Sequence, residues 1–286
     1  MDMPALGEIE FGLCWGTLHQ ATLPQLIDAA ARHGFATLSF PPYLYADWLG
    51  AGYSSQMLLR KMRNAGVRLT VADCISAGLP GMPETPISFR GKSLPRPGEA
   101  ECFAMAEALE APLVNISHFG AGPVSHEELT EAVGTICRRA GARGLGIVLE
   151  FVPDTGIADL ATAQAIATGC GEANCSILLD SWHLARTGGT AADIRALPPG
   201  SIGAIQLSDR NPPAAGEVYV PMTGRLLPGE GSLPLHDIVG AALANRPGLS
   251  AELEVFSAEL SALPVDKAAA RAAAALASWR NGPVAS

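Results

Sequence analysis

The chain has 286 residues, 48% of them apolar and only 16% charged, which is ample material for a large core and excludes a disordered polymer. Its formal net charge of −9 argues against nucleic acid as the main partner, because phosphate recognition needs a basic face. No uninterrupted apolar window reaches the roughly 18 residues of a membrane span, and the start "MDMPALGEIEFG" lacks the basic-then-apolar order of a secretory signal. A cytoplasmic protein with no membrane partner is the expectation. The six cysteines are scattered without C-x-x-C spacing and are expected to be reduced and packed as small hydrophobes.

From the N-terminus, the apolar run "FGLCWGT" precedes "TLPQLIDAAARHG", where Thr22 predicts an N-cap and Gly34 the stop. "ATLSF" follows, then a helix in "SSQMLLRKMRNAG" closed by Gly66. "VRLTVAD" leads into a long loop rich in Pro and Gly, and the next helix is "GEAECFAMAEALEA". "PLVNISH" precedes a helix that opens on Ser125 and Glu128, a capping-box pair.

The second half repeats the scheme. "GIVLEF" is followed by "LATAQAIATG", "SILLDS" by a shorter helix at "TAADIRAL", and "IGAIQLS" by a long loop and then "LHDIVGAALAN". Finally "LSAELEVF" leads to "VDKAAARAAAALASWR". Continuous apolar strands alternating with helices indicate a parallel sheet. Eight such units in a chain of this length predict a closed (β/α)₈ TIM barrel, one domain over residues 1–286. An open doubly wound sheet is disfavoured, because "FGLCWGTLHQ" does not carry the glycine spacing of a dinucleotide-binding turn.

In such a barrel the reactive groups stand where strands end. The fifth run ends in Glu150, the sixth in Asp180, the seventh in Gln206, and the eighth carries Glu252 and Glu254. Carboxylates converging from successive strands repel one another unless a cation joins them, so this series predicts a divalent metal site. Glu252 and Glu254 are two apart and point to the same side of their strand; Glu254, nearer the C-terminal end, is the preferred ligand.

These residues carry a resemblance. The stretches "LEFVPDTGIADLATA", "LLDSWHLARTGG", "IQLSDR", "RLLPGEGSLPL" and "LEVFS", in this order, resemble the xylose-isomerase-like TIM barrels of the sugar-phosphate isomerase/epimerase superfamily, over almost the whole chain. The resemblance implies that Glu150, Asp180 and Glu254 are metal ligands, with His183 beside the metal contacting substrate or orienting the aspartate. It implies a further ligand on the seventh strand, where many members have histidine and this chain has Gln206. An amide oxygen there gives an all-oxygen shell suited to Mn²⁺ or Mg²⁺ rather than Zn²⁺. Arg225 matches a basic residue that holds substrate oxygens in relatives. Asp209 and Arg210, at the rim of the seventh strand, are either substrate contacts or surface loop residues. His118 and Trp15 are candidates for the pocket wall, and Phe40, Tyr43 and Trp48 for covering the apolar face of a sugar.

On the same resemblance, Glu150 and Glu254 flank the substrate as the acid/base pair that removes and returns a proton next to a carbonyl, through an enediolate. The expected activity is therefore a metal-dependent isomerase or epimerase of a small sugar, ketose or polyol-derived ketone. A dehydratase of an inosose- or dehydroshikimate-like compound uses the same first step. A DNA-repair endonuclease would want a basic groove and more histidines than six, and a non-catalytic barrel would have lost the ion. The expected partner is a small-molecule substrate, with no nucleic acid; a homo-oligomer is compatible with the alanine-rich last helix.

Overall fold

In the computed structural model, residues 9–89, 91–212, 217–218, 220 and 222–282 are described. The barrel strands are β1 (Phe11–Cys14), β2 (Thr37–Phe40), β3 (Arg68–Ile75), β4 (Leu113–Ser117), β5 (Gly146–Glu150), β6 (Cys175–Asp180), β7 (Ile202–Leu207) and β8 (Ala251–Leu253). They close into a parallel barrel in sequence order, β8 pairing with β1. The main helices are α1 (Leu23–Arg32), α2 (Pro42–Gly50), α3 (Ser55–Asn64), α4 (Glu99–Leu109), α5 (His126–Gly141), α6 (Leu160–Gly169), α7 (Ser181–Arg186), α8 (Ala191–Ala196), α9 (Leu235–Asn245), α10 (Ala258–Ala262) and α11 (Val265–Asn281).

Local chemistry fixes these boundaries. Thr22 and Gln25 form a capping box on α1, and Ser125 accepts the Glu128 amide at the start of α5. Asp159 caps α6 in the same way. Gly34 and Gly66, at φ 78° and 68°, make the left-handed turns that end α1 and α3. The strands β1 and β2 are buried at every position, as expected of a parallel sheet covered by helices.

Several elements were not expected from the sequence, among them the short helix α10 and a single helical turn at Trp15–Leu18. Helix α2 begins in Pro41-Pro42, where proline occupies the first turn without losing a needed donor. The loop after β3 contains an antiparallel hairpin, Ile87–Phe89 with Lys92–Leu94. Asp180 starts α7 directly at the end of β6, with no intervening loop. Phe40 is fully buried in the core rather than exposed to a ligand.

Contacts divide the chain into two compact units. One comprises the chain up to Leu38, Ala65–Val67 and Leu179 onward; the other comprises Ser39–Asn64 and Arg68–Leu178. Register within each unit positions the polar strand ends. In the second, Ser117 of β4 pairs with Glu150 of β5. In the first, Gln206 of β7 pairs with Glu252 of β8, and Leu253 pairs with Leu13 of β1. Among the described residues no helix is long and apolar enough to cross a membrane.

The close approach of β1 and β2 depends on Gly12, since a Cβ there would lie 1.9 Å from Thr37 Oγ1 and 2.4 Å from its carbonyl oxygen. Gly12→Ala is expected to lower stability by about 1–3 kcal/mol through overpacking, read as a lower urea midpoint in denaturation followed by tryptophan fluorescence.

Candidate functional site

Asp180 lies at the end of a hydrophobic strand and is fully buried. Its two oxygens have different tasks. Oδ1 accepts the main-chain amides of Trp182 (2.7 Å) and His183 (3.0 Å), capping α7. Oδ2 accepts Arg225 Nη1 at 2.5 Å. Burial pushes the Asp180 carboxyl up, but the charge of Arg225, helped by His183 and the amide bonds, outweighs it and holds the group at about 2.

Arg225 is the hub of this cluster. The same Nη1 lies 2.8 Å from Glu254 Oε2 and donates to the Glu254 carbonyl at 3.1 Å. Nη2 faces His183 Nε2 at 3.2 Å, which makes that ring nitrogen the acceptor. The guanidinium carbon lies 5.2 Å from the Trp182 ring and 5.7 Å from the Phe256 ring, within cation–π range of both. Only 4% of Arg225 is exposed, so the charge is held by protein rather than by water.

The loop that carries Arg225 is fixed by Asp209. Its Oδ1 accepts the amides of Arg210 (2.8 Å) and Leu233 (3.0 Å), and its Oδ2 those of Gly229 and Gly231 (both 3.0 Å). Asp209 also exchanges two main-chain hydrogen bonds with Leu226, the residue after Arg225. Gly231 must be glycine for this approach, as a Cβ would stand 2.4 Å from Asp209 Oδ1. Asp209 and Arg210 are therefore not surface loop residues, since both are buried, and the carboxylate of Asp209, expected as a substrate contact, is taken up by four main-chain amides.

Glu254 stands at the end of β8 and is 5% exposed. Its Oε1 receives Gln206 Nε2 and Cys14 Sγ, both at 3.3 Å. The other end of the Gln206 amide is informative: Oε1 is buried and has no hydrogen-bond partner among the described residues. A buried amide oxygen without a donor is costly, and a hard cation is one group that would satisfy it. Glu252, two residues earlier in the chain, is also buried. Trp15, on the turn after β1, is half-buried and meets Phe256 edge-to-face at 5.6 Å.

Glu150 belongs to the other unit and accepts hydrogen bonds from an amide and a hydroxyl. Its Oε2 accepts Asn115 Nδ2 at 2.9 Å and a short hydrogen bond from Ser117 Oγ. Asn115 Nδ2 also donates to Asp73 Oδ1 at 2.8 Å. Asp73, Asn115 and Ser117 lie on β3 and β4 and are not among the residues that the last four strand ends predict. The signals were present: "TVAD" runs apolar residues into an acid as "ILLD" does, and "VNIS" sets polar residues two apart on one face of a buried strand.

His118 has a structural task. Its Nε2 donates to the Pro80 carbonyl at 2.9 Å, and its Nδ1 accepts the amides of Gly120 (3.2 Å) and Gly156 (3.0 Å). Both ring nitrogens are therefore engaged in tying three loops of the second unit together.

A family model described as "Xylose isomerase-like TIM barrel" matches residues 27–281. Among solved structures, the chain is similar to the IolI protein with a bound zinc atom, at 15% identity and TM-score 0.79, covering 95% of this chain and 98% of that one. It is also similar to the probable 3-DHS dehydratase AsbF of Bacillus anthracis, at 14% identity and TM-score 0.72, covering 94% and 99%. A third is D-psicose 3-epimerase of Clostridium cellulolyticum H10, at 16% identity and TM-score 0.69, covering 95% and 98%. At these identities the likeness is one of fold. No curated protein matches the chain in sequence.

Replacing Arg225 by Met would leave Asp180 and Glu254 buried without their counter-charge. In chelator-treated protein Arg225→Met is expected to cost about 3–5 kcal/mol at neutral pH. Because Asp180 is depressed to about 2 in the folded wild type, its contribution is present above the unfolded carboxyl pKa and is lost as pH falls toward 2. The deficit of the variant should therefore shrink in acid, and urea titrations at neutral and acid pH check this.

Proposed function

This chain belongs to the xylose isomerase-like TIM-barrel family, and on that premise we propose that it is a divalent-metal-dependent isomerase or epimerase of a small sugar, ketose or polyol-derived ketone. The observation that carries this reading is the oxygen-rich strand-end set around Glu254, with the unsatisfied, buried Gln206 amide oxygen beside it. Asp180 and Glu254 supply anionic oxygens, Gln206 a neutral one, and Glu150 a further carboxylate at the end of β5. This donor set fits a hard divalent ion, Mn²⁺ or Mg²⁺, better than a soft one. When bound, such an ion supplies Lewis acidity for a carbonyl or hydroxyl oxygen of the substrate.

The proton work falls to the protein. Glu150 and Glu254 are the proposed acid/base pair. Asn115 and Ser117 orient the Glu150 carboxylate through Oε2, and Gln206 and Cys14 orient Glu254 through Oε1. A carboxylate fixed in this way loses little orientation on reaching the C–H it must deprotonate. His183 and Arg225 are proposed to contact substrate oxygens from the adjoining wall, with Trp15 covering an apolar face. Asp209 acts through Arg225, by fixing the loop that presents it, and His118 by bracing three loops of the second unit.

Calorimetric titration of chelator-treated protein with Mn²⁺ and Mg²⁺ tests the premise, with tight uptake expected for the wild type and loss of it for Asp180→Asn. Glu150→Gln and Glu254→Gln are each expected to lower turnover by roughly 10²–10⁴-fold. In D₂O, an epimerase or isomerase places deuterium on the substrate carbon next to the carbonyl, whereas a dehydratase yields a product with a new C=C absorbance. Turnover unaffected by chelation, or a wild type that takes up neither ion, overturns the reading.

A further inference from the structure

Three cysteines that are far apart in sequence converge within the second unit. Cys137 lies on α5, Cys170 caps the C-terminus of α6, and Cys175 is the first residue of β6. Their sulfurs all lie within 4.8 Å of one another. Cys137 is buried, while Cys170 and Cys175 are partly open to solvent. The expectation of scattered thiols used only as packing does not anticipate this cluster, because Cys137 is brought in by the fold.

The surroundings hold the three in place. Gly134 lies one turn before Cys137 on the same helix face, and a Cβ there would meet the Cys170 carbonyl oxygen at 3.2 Å and the Cys170 Cβ at 3.4 Å. Asn174 donates to the Cys137 carbonyl at 2.8 Å and to the Leu145 carbonyl at 3.0 Å, so the short loop between Cys170 and Cys175 is tied to α5. The Ile147 amide in turn donates to the Asn174 carbonyl at 2.8 Å. Hydrogen bonds from the Cys137 and Cys175 thiols, and from the Glu172 amide, outweigh burial and hold the Cys170 sulfur well below the ordinary thiol range.

We propose that Cys137, Cys170 and Cys175 form a three-thiolate site for zinc, separate from the strand-end site. With Zn–S near ~2.3 Å, two thiolates on a tetrahedral ion stand about 3.8 Å apart. The sulfurs need to draw together by an ångström at most. The half-open side of Cys170 leaves the fourth position to water. Uptake displaces thiol protons into solvent and so strengthens as pH rises. Cys175 and Asp180 stand at opposite ends of β6, about 16 Å apart along an extended strand. One chain can therefore hold a soft cation at one end of the strand and a hard one at the other.

The test uses Co²⁺ as the spectroscopic stand-in for zinc, added to the full chain reduced under anaerobic conditions. A sulfur-to-cobalt charge-transfer band is expected, displaced by one equivalent of Zn²⁺ per chain. Cys170→Ser should lose the band while keeping the wild-type circular dichroism. Cys14→Ser, which removes the thiol beside Glu254, should retain it. Asp180→Asn should also retain it, so failure of the strand-end reading is distinguishable from failure of this one. Absence of a band in the reduced wild type overturns the proposal, as does a band that survives Cys170→Ser. A cluster that alkylation and mass analysis find as a disulfide, and that takes up no cobalt after reduction, overturns it equally.

Discussion

The contact between Asp180 and Arg225 is the constraint on which the candidate site rests. A carboxylate at the end of an apolar strand cannot stay ionised out of water without a counter-charge and hydrogen bonds. Arg225 provides the charge at 2.5 Å, and the first amides of α7 provide the hydrogen bonds. The dependence then runs backwards along the chain. Arg225 is on a loop, and a loop can deliver a buried guanidinium only if its own backbone is fixed. Asp209 does this by gathering four amides around one carboxylate. The Trp182 and Phe256 rings both lie within cation–π range of the guanidinium, and its burial keeps water from competing for it. Removing any one of these supports weakens the next.

The two units handle a buried acid differently. Around Asp180 the solution is ionic, and it sets the group at about 2. Around Glu150 an amide and a hydroxyl orient the carboxylate. This difference suits different roles. An acid locked to an arginine is a fixed anion, whereas the amide and hydroxyl on Glu150 set the direction of its carboxylate. The proposed division, Asp180 as ligand and Glu150 as ligand and base, follows that distinction.

Much of this was legible in the sequence, and for a physical reason. Parallel strands buried on both faces read as unbroken apolar runs, so the eight strands and the principal helices could be placed, with the first and last strands ending earlier than their apolar runs. Acids that interrupt such runs stand out, which is why Glu150, Asp180 and Glu254 are candidates from the sequence, and all three are buried. What stayed hidden was of a different kind. Helix α2 is opened by two prolines, and proline reads as a breaker until its position in the first turn is known. Asn115 and Ser117 share one face of a buried strand, a pattern visible in the sequence, but that pattern does not name Glu150 and Asp73 as their partners. The four amides on Asp209 and the meeting of Cys137 with Cys170 and Cys175 are products of long-range folding, with no local pattern to announce them.

Gln206 is where this chain departs from the histidine that the family resemblance implies, and the departure has consequences beyond the choice of metal. An imidazole can be a ligand or take a proton, so its availability to an ion falls in mild acid. An amide does not titrate in that range. Its donor end is already committed to Glu254 and, at 3.8 Å, to Cys14, and that commitment fixes the direction of the buried oxygen at the other end. The substitution thus exchanges a soft, protonatable donor for a hard, neutral one whose aim is set by the same glutamate proposed to move the proton. On the proposed reading Glu254 would be coupled to the ion in two ways, directly as a ligand and indirectly through the amide it orients. A change in the protonation of Glu254 would be felt at both.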